Sequence, residues 1–254
     1  RPTNPKLVSY VISEDNRSVK IDWEAIVTGV TGNHVNPDNM DYYLWEYDEY
    51  DEDWYQVDVT SDLTLTYELN NPNEPLSMIT LGLQAYNGFN SGSGITAFTV
   101  MLGKPLEMPL KDDFANGRLS VGPVGISSSL SGEYAPTWHI GDPGEVNDAI
   151  AAEEGDYALI GHTAFNRGDS YIHFPKFSTV DKEAAEFEFS SYDHPASAKL
   201  TLLGTCYGQE EDIVLGEVGI PSSTDGWKKH VFQLPAELLG KQWVDMRLHV
   251  DFIG

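Results

Sequence analysis

Val244-Asp245-Met246-Arg247-Leu248-His249-Val250-Asp251-Phe252 decides the fold class. Apolar residues occupy every second position and charged or polar ones fill the gaps. Side chains on a β-strand point alternately to opposite faces, so this run is a strand with one buried and one polar face. A slip of one residue would bury the charges, which fixes its register. Leu200-Thr201-Leu202, Phe187-Glu188-Phe189 and Tyr171–Phe177 carry shorter forms of the same signal upstream. Val19-Lys20-Ile21-Asp22-Trp23 repeats it near the N-terminus. Tyr42–Tyr47, Thr64–Leu69, Ile79–Tyr86 and Ile95–Leu102 follow at similar spacing, with Lys6–Ile12 at the start. Turn-forming clusters such as Asn70-Asn71-Pro72-Asn73 and Asn87-Gly88 punctuate them. Regular short strands without helical periods predict an all-β protein built of sandwiches. Pro235–Gly240 reads as one short helical turn, opened by proline and closed by glycine. Ser120–Pro136, rich in glycine, serine and proline, reads as loop.

Gly103-Lys104-Pro105 interrupts the pattern, and Pro109 follows. This is a short, stiff linker by composition. It predicts two domains, residues 1–104 and 105–254. The 254 residues carry 15 Lys+Arg against 40 Asp+Glu, a net charge of −25. Of this, −11 lies before the junction (5 bases, 16 acids) and −14 after it (10 bases, 24 acids). Such a charge argues against recognition of nucleic-acid phosphates, which needs clustered Lys and Arg. It also argues against docking on anionic lipid. No apolar run exceeds four residues, whereas a membrane helix needs about 18, so no membrane insertion is expected. The one cysteine, Cys206, excludes an internal disulfide.

Enzyme signatures are absent. No serine stands in G-x-S-x-G, no H-E-x-x-H occurs, and the seven histidines are scattered. Gly92-Ser93-Gly94-Ile95-Thr96-Ala97 matches G-x-G-x-x-A, but a strand-like A-F-T-V-M-L continues from Ala97. A nucleotide site needs a helix there, because the helix N-terminus meets the pyrophosphate. The expectation is a plain turn and a protein that is not an enzyme. Asn16-Arg17-Ser18 fits a glycosylation sequon, a tripeptide common by chance.

Glu46–Trp54 holds six acids in nine residues. Three readings stand: a solvated hairpin tip that blunts a sheet edge, a Ca²⁺-sensitive tip, and a partner-docking surface.

The first hundred residues resemble a fibronectin type III domain. The likeness rests on Pro5, Trp23 on the second strand, the Tyr42–Tyr47 strand, and Ala85-Tyr86-Asn87 with Gly88, Ser91 and Gly92 before the last strand. Leu81 stands where that family has a tyrosine. The remaining 150 residues resemble the MAM-like or cleaved-adhesin (choice-of-anchor J type) jelly-roll domains of Bacteroidetes surface proteins. Asp112-Asp113-Phe114, Trp138 with Gly141-Asp142, Tyr171–Phe177, Ala185–Tyr192, Trp227 and the final strand occur in that family's order.

The resemblance implies a jelly roll (concanavalin- or galactose-binding-like) behind a fibronectin-like spacer. It implies an extracellular or outer-surface location, with the export signal outside this stretch. It also implies a structural Ca²⁺ held by Asp112, Asp113 and the Glu153–Asp156 turn, with Glu154 and Asp156 as the later ligands. The function expected is a non-catalytic binding module for a glycan or protein. The alternatives are a purely adhesive protein–protein module and an accessory part of a secreted hydrolase. Jelly rolls that bind sugars set aromatic faces against the ring. Trp138, with Tyr134 and His139 beside it in loop-rich sequence, is the expected ligand site. Trp227 and Trp243, next to strand patterns, are expected in the core.

Overall fold

The computed structural model describes residues 1–88, 91–114, 117–119, 121–128, 130, 135–146, 150–162, 168–192, 197–220 and 226–253. The chain is all-β and divides into two compact units, Arg1–Lys104 and Pro105–Gly254.

The N-terminal unit has seven strands: β1 (Leu7–Ile12), β2 (Ser18–Trp23), β3 (Met40–Asp48), β4 (Asp53–Thr60), β5 (Thr64–Glu68), β6 (Ser77–Asn87) and β7 (Thr96–Leu102). They form two antiparallel sheets, β1-β2-β5 and β4-β3-β6-β7, a fibronectin-like sandwich. The alternation of β2 is realised: Val19, Ile21 and Trp23 are buried between the sheets. Tyr42 and Leu44 of β3 and Leu81 and Leu83 of β6 meet them from the other side. The Trp23 and Tyr42 rings touch at 5.2 Å with a 56° tilt, the offset geometry aromatic pairs prefer. Leu81, where the resembling family has tyrosine, is fully buried and fills apolar space. Truncating Trp23 to alanine would cost about 3–5 kcal/mol.

Two short motifs find their places here. Asn16 of the glycosylation tripeptide is fully buried, and its side chain donates to the Gly103 carbonyl at 2.9 Å. The G-x-G-x-x-A stretch runs into β7 and opens no helix. The Gly103 backbone, at φ 118°, passes so close to Pro75 that a β-carbon would lie 2.4 Å from its carbonyl oxygen. Only glycine fits there.

The C-terminal unit contains β8 (Gly125–Ser128), β9 (Thr137–Gly141), β10 (Ala158–His162), β11 (Gly168–His173), β12 (Glu186–Ser191), β13 (Ser197–Cys206), β14 (Ile213–Ile220), β15 (Lys228–Gln233) and β16 (Val244–Ile253). Five strands form one antiparallel sheet in the order β14-β13-β16-β11-β8. Two strand pairs, β9-β10 and β12-β15, bring Trp138, Leu159, Phe187, Phe189 and Phe232 onto its core side. This is the jelly-roll arrangement of two layers around one core. The alternating run Val244–Phe252 lies in β16, central in the sheet. Val244, Met246, Leu248 and Val250 are buried in the core, and Asp245, Arg247, His249 and Asp251 take the other face. Pro235 precedes a single 3₁₀ turn, Ala236–Leu238, and Gly240 closes it at φ 69°. Cys206 is buried beside this turn.

Candidate functional site

The outward face of the five-stranded sheet gathers groups far apart in sequence. In β11 the outward positions are Asp169, Tyr171 and His173. Pairing with β16 sets them opposite Asp251, His249 and Arg247 in that order. Pairing with β13 adds Lys199 and Thr201 beside Asp251 and His249, and β8 places Ser127 beside Tyr171. Tyr171 and His249 stack nearly parallel, with ring centroids 4.4 Å apart and a 10° interplanar angle. The imidazole Nε2 lies 3.1 Å from the Asp169 carboxylate, which fixes the ring from its edge. Arg247 donates to the Asp212 carboxylate, and Lys199 pairs with Glu217 at 2.7 Å. Carboxylates, a guanidinium and imidazoles thus surround one flat aromatic pair.

Toward one end the face becomes enclosed. Lys176 is 1% exposed, with its ammonium 4.4 Å from the Trp243 ring centre. Burial pulls its pKa down to about 8, against the attraction of Asp245. Burial also pushes the Asp245 carboxyl upward, opposed by Lys176 and Arg247, and one of its oxygens has no hydrogen-bond partner. Burial, with Arg247 beside it, lowers His173 to about 4. His173 is therefore neutral at physiological pH, with Nε2 3.3 Å from the Ser127 hydroxyl. Serine and imidazole alone do not make a nucleophile. No carboxylate hydrogen-bonds this ring among the described residues, and so weak a base would not activate a hydroxyl.

The residues expected to bind ligand are placed otherwise. Trp138 lies on β9, not in a loop, and its ring packs onto the core rather than outward. It lies across Gly161, where a β-carbon would come within 2.7 Å of the ring, and its centroid is 6.1 Å from that of Phe252. It is a packing residue, so the expected open platform does not form. His139 points the other way. It stacks on His162 at 5.3 Å and meets Glu145 at 3.2 Å. Tyr134 falls outside the described residues. Trp243 is buried as expected. Trp227 is half-buried at the surface, edge-on to Tyr192, and donates to the Ala151 carbonyl.

The two segments expected to supply calcium ligands lie side by side: a β-carbon on Gly155 would come 3.9 Å from the Asp113 carbonyl oxygen. Asp112 accepts from the backbone of Phe114 at 2.8 Å and Val121 at 3.2 Å, which shapes the local turn. Glu154 is engaged by Lys111 at 2.5 Å. Among the described residues no group of three or more His, Cys, Asp or Glu side chains is placed to hold a metal by itself.

No protein-family model matches the chain, and a search of curated proteins found no match. Three solved structures are similar at low level. A carbohydrate-binding module of the β-sandwich superfamily shares 15% identity at a TM-score of 0.38, over 99% of this chain and 92% of the other. The tandem carbohydrate-binding modules of Paenibacillus barcinonensis Xyn10C share 14% at 0.33, over 95% and 73%. A human fibronectin type III domain shares 19% at 0.26, over 39% and 82%. Likenesses this weak carry no argument about the site, and the fold rests on the sheets described above.

Proposed function

We propose that this chain is a non-catalytic pair of modules and that its C-terminal unit binds a glycan on the outward face of the five-stranded sheet. The stacked Tyr171–His249 pair carries the reading. A flat, rigid aromatic surface suits the apolar face of a sugar ring, while Asp169, Arg247, His173 and Ser127 supply bonds to hydroxyls around it. These groups are held by one another before any ligand arrives, so little side-chain entropy is lost on binding. The family resemblance adds the finer reading: a MAM-like module of an exported bacterial surface protein, with the fibronectin-like unit as spacer.

A glycan array followed by calorimetric titration tests it. Tyr171→Ala and Asp169→Asn are expected to weaken a hit by tenfold or more, with Trp138→Phe nearly silent. An array without hits, or a hit indifferent to Tyr171, would overturn the reading.

A further inference from the structure

The N-terminal unit carries a second unusual face. In β3, Met40, Tyr42 and Leu44 point into the core, so Asp41, Tyr43, Trp45 and Tyr47 point out. Register sets Trp54 of β4 beside Tyr47, and Tyr86 of β6 beside Asp41. The rings touch one another: Tyr43 with Trp45 at 6.2 Å, Tyr43 with Tyr86 at 4.8 Å, and Tyr47 with Trp54 at 5.2 Å. Trp54 lies across Gly82, where a β-carbon would meet the ring at 2.6 Å. Five aromatic rings therefore pave the side of the β4-β3-β6-β7 sheet that faces away from the core. None of them is part of the buried cluster.

The charge around this pavement has one sign. Residues 40–60 hold eight acids and no Lys, Arg or His, so −8 of the unit's −11 lies on this hairpin. The other two strands of the sheet, β6 and β7, also contain no Lys, Arg or His. All five bases of the unit (Arg1, Lys6, Arg17, Lys20 and Lys104) lie elsewhere in its sequence. At the tip, Asp48 accepts from the backbone of Tyr50 and Asp51, which leaves Tyr50 94% exposed. Aromatic faces and carboxylates attract the same class of group: a guanidinium or ammonium gains from both at once.

We propose that this face docks a Lys/Arg-rich peptide segment of a partner protein, with cationic side chains over Tyr43, Trp45 and Trp54 and the 48–53 tip steering their approach. The proposal does not depend on the glycan reading of the other unit.

The test uses the full chain and a synthetic Arg/Lys-rich dodecapeptide, followed by tryptophan emission and calorimetry. Controls are the same peptide with glutamine at each basic position and a panel of neutral oligosaccharides. Saturable binding at 50 mM NaCl is expected, at least tenfold weaker at 500 mM because salt screens exposed charge. Glu49→Gln/Glu52→Gln/Asp53→Asn, which leaves the core untouched, should weaken it at least tenfold. Trp54→Leu should weaken it at least threefold at both salt levels, and Tyr171→Ala should leave it unchanged. Absence of saturation overturns the proposal. So does equal binding of the glutamine peptide or an oligosaccharide, or self-association of the chain through this face in sedimentation. Loss of binding in the charge variant with Trp54→Leu silent would reduce the face to diffuse acidity, and that also overturns it.

Discussion

Each unit has a sheet with one side turned away from its core, and the two sides are built on opposite plans. On the C-terminal sheet, charges meet their opposites within the face, Arg247 with Asp212 and Lys199 with Glu217, and the His249 ring nitrogen lies 3.1 Å from Asp169. On the N-terminal sheet rings are crowded together and every charged residue in its four strands is an acid. A self-compensated face offers directional hydrogen bonds with little net field. An uncompensated one keeps a field that only a cation can satisfy. Net charge alone, −14 against −11, conceals this difference.

The contrast can be broken most forcefully at its enclosed end. Removing one member of a buried, opposite-charged pair leaves the other stranded, which typically costs about 3–5 kcal/mol. Lys176→Met should therefore lower the melting transition of the C-terminal unit sharply in calorimetry. Lys176→Met/Asp245→Leu should recover most of the loss, because compensation and not charge as such is what matters there. A double variant no better than the single would show that Asp245 does not answer Lys176.

A smaller effect concerns acidity. His173 has a folded-state pKa of about 4 against an ordinary 6.5, so between those values the unfolded chain binds more protons. Stability should then fall as pH drops from 6.5 to 4, by about 2 kcal/mol, less than a fully enclosed ring would give. His173→Gln should flatten that limb of a urea-denaturation pH profile; an unchanged slope would contradict the burial cause.

Gly82→Ala sharpens the other side of the comparison. Its methyl group would drive Trp54 and Ile95 aside. The expected cost is about 1 kcal/mol, within the usual range for overpacking, with a shift in tryptophan emission. The least effect should come from Glu49→Gln/Glu52→Gln. Relief of exposed like-charge repulsion would stabilise the N-terminal unit by a few tenths of a kcal/mol, vanishing in 1 M salt.

The sequence made some of this legible and hid the rest for identifiable reasons. β16 and β2 were readable because each has one fully buried and one wetter face, which writes period two directly into the residues. β4, Asp53–Thr60, escaped as a strand because it is an edge strand exposed along most of both faces, so burial writes no period of two into it, and the register shifts between Leu44 and Trp45 opposite it. Trp138 was misread because its text is loop-like, and its ring fits where it does because Gly161 on the neighbouring strand leaves the space open. Tyr171 and His249 had a signal: polar groups at alternate positions, 169, 171 and 173 in one strand and 247, 249 and 251 in another. What joins them is strand pairing across a long sequence separation, which one strand's periodicity cannot announce.

The anchoring of Gly103 bears on how the molecule would carry load. Its amide donates to the Asn16 carbonyl, its carbonyl accepts the Asn16 side chain, and the next amide, of Lys104, donates to Glu74. Tension entering the N-terminal unit through its C-terminal end would therefore meet three hydrogen bonds to two separate turns before it reached β7. The unit ends in a strain relief, like the clamp where a cable leaves its housing, so a pull from downstream is shared with the β1–β2 turn instead of peeling the last strand from its edge.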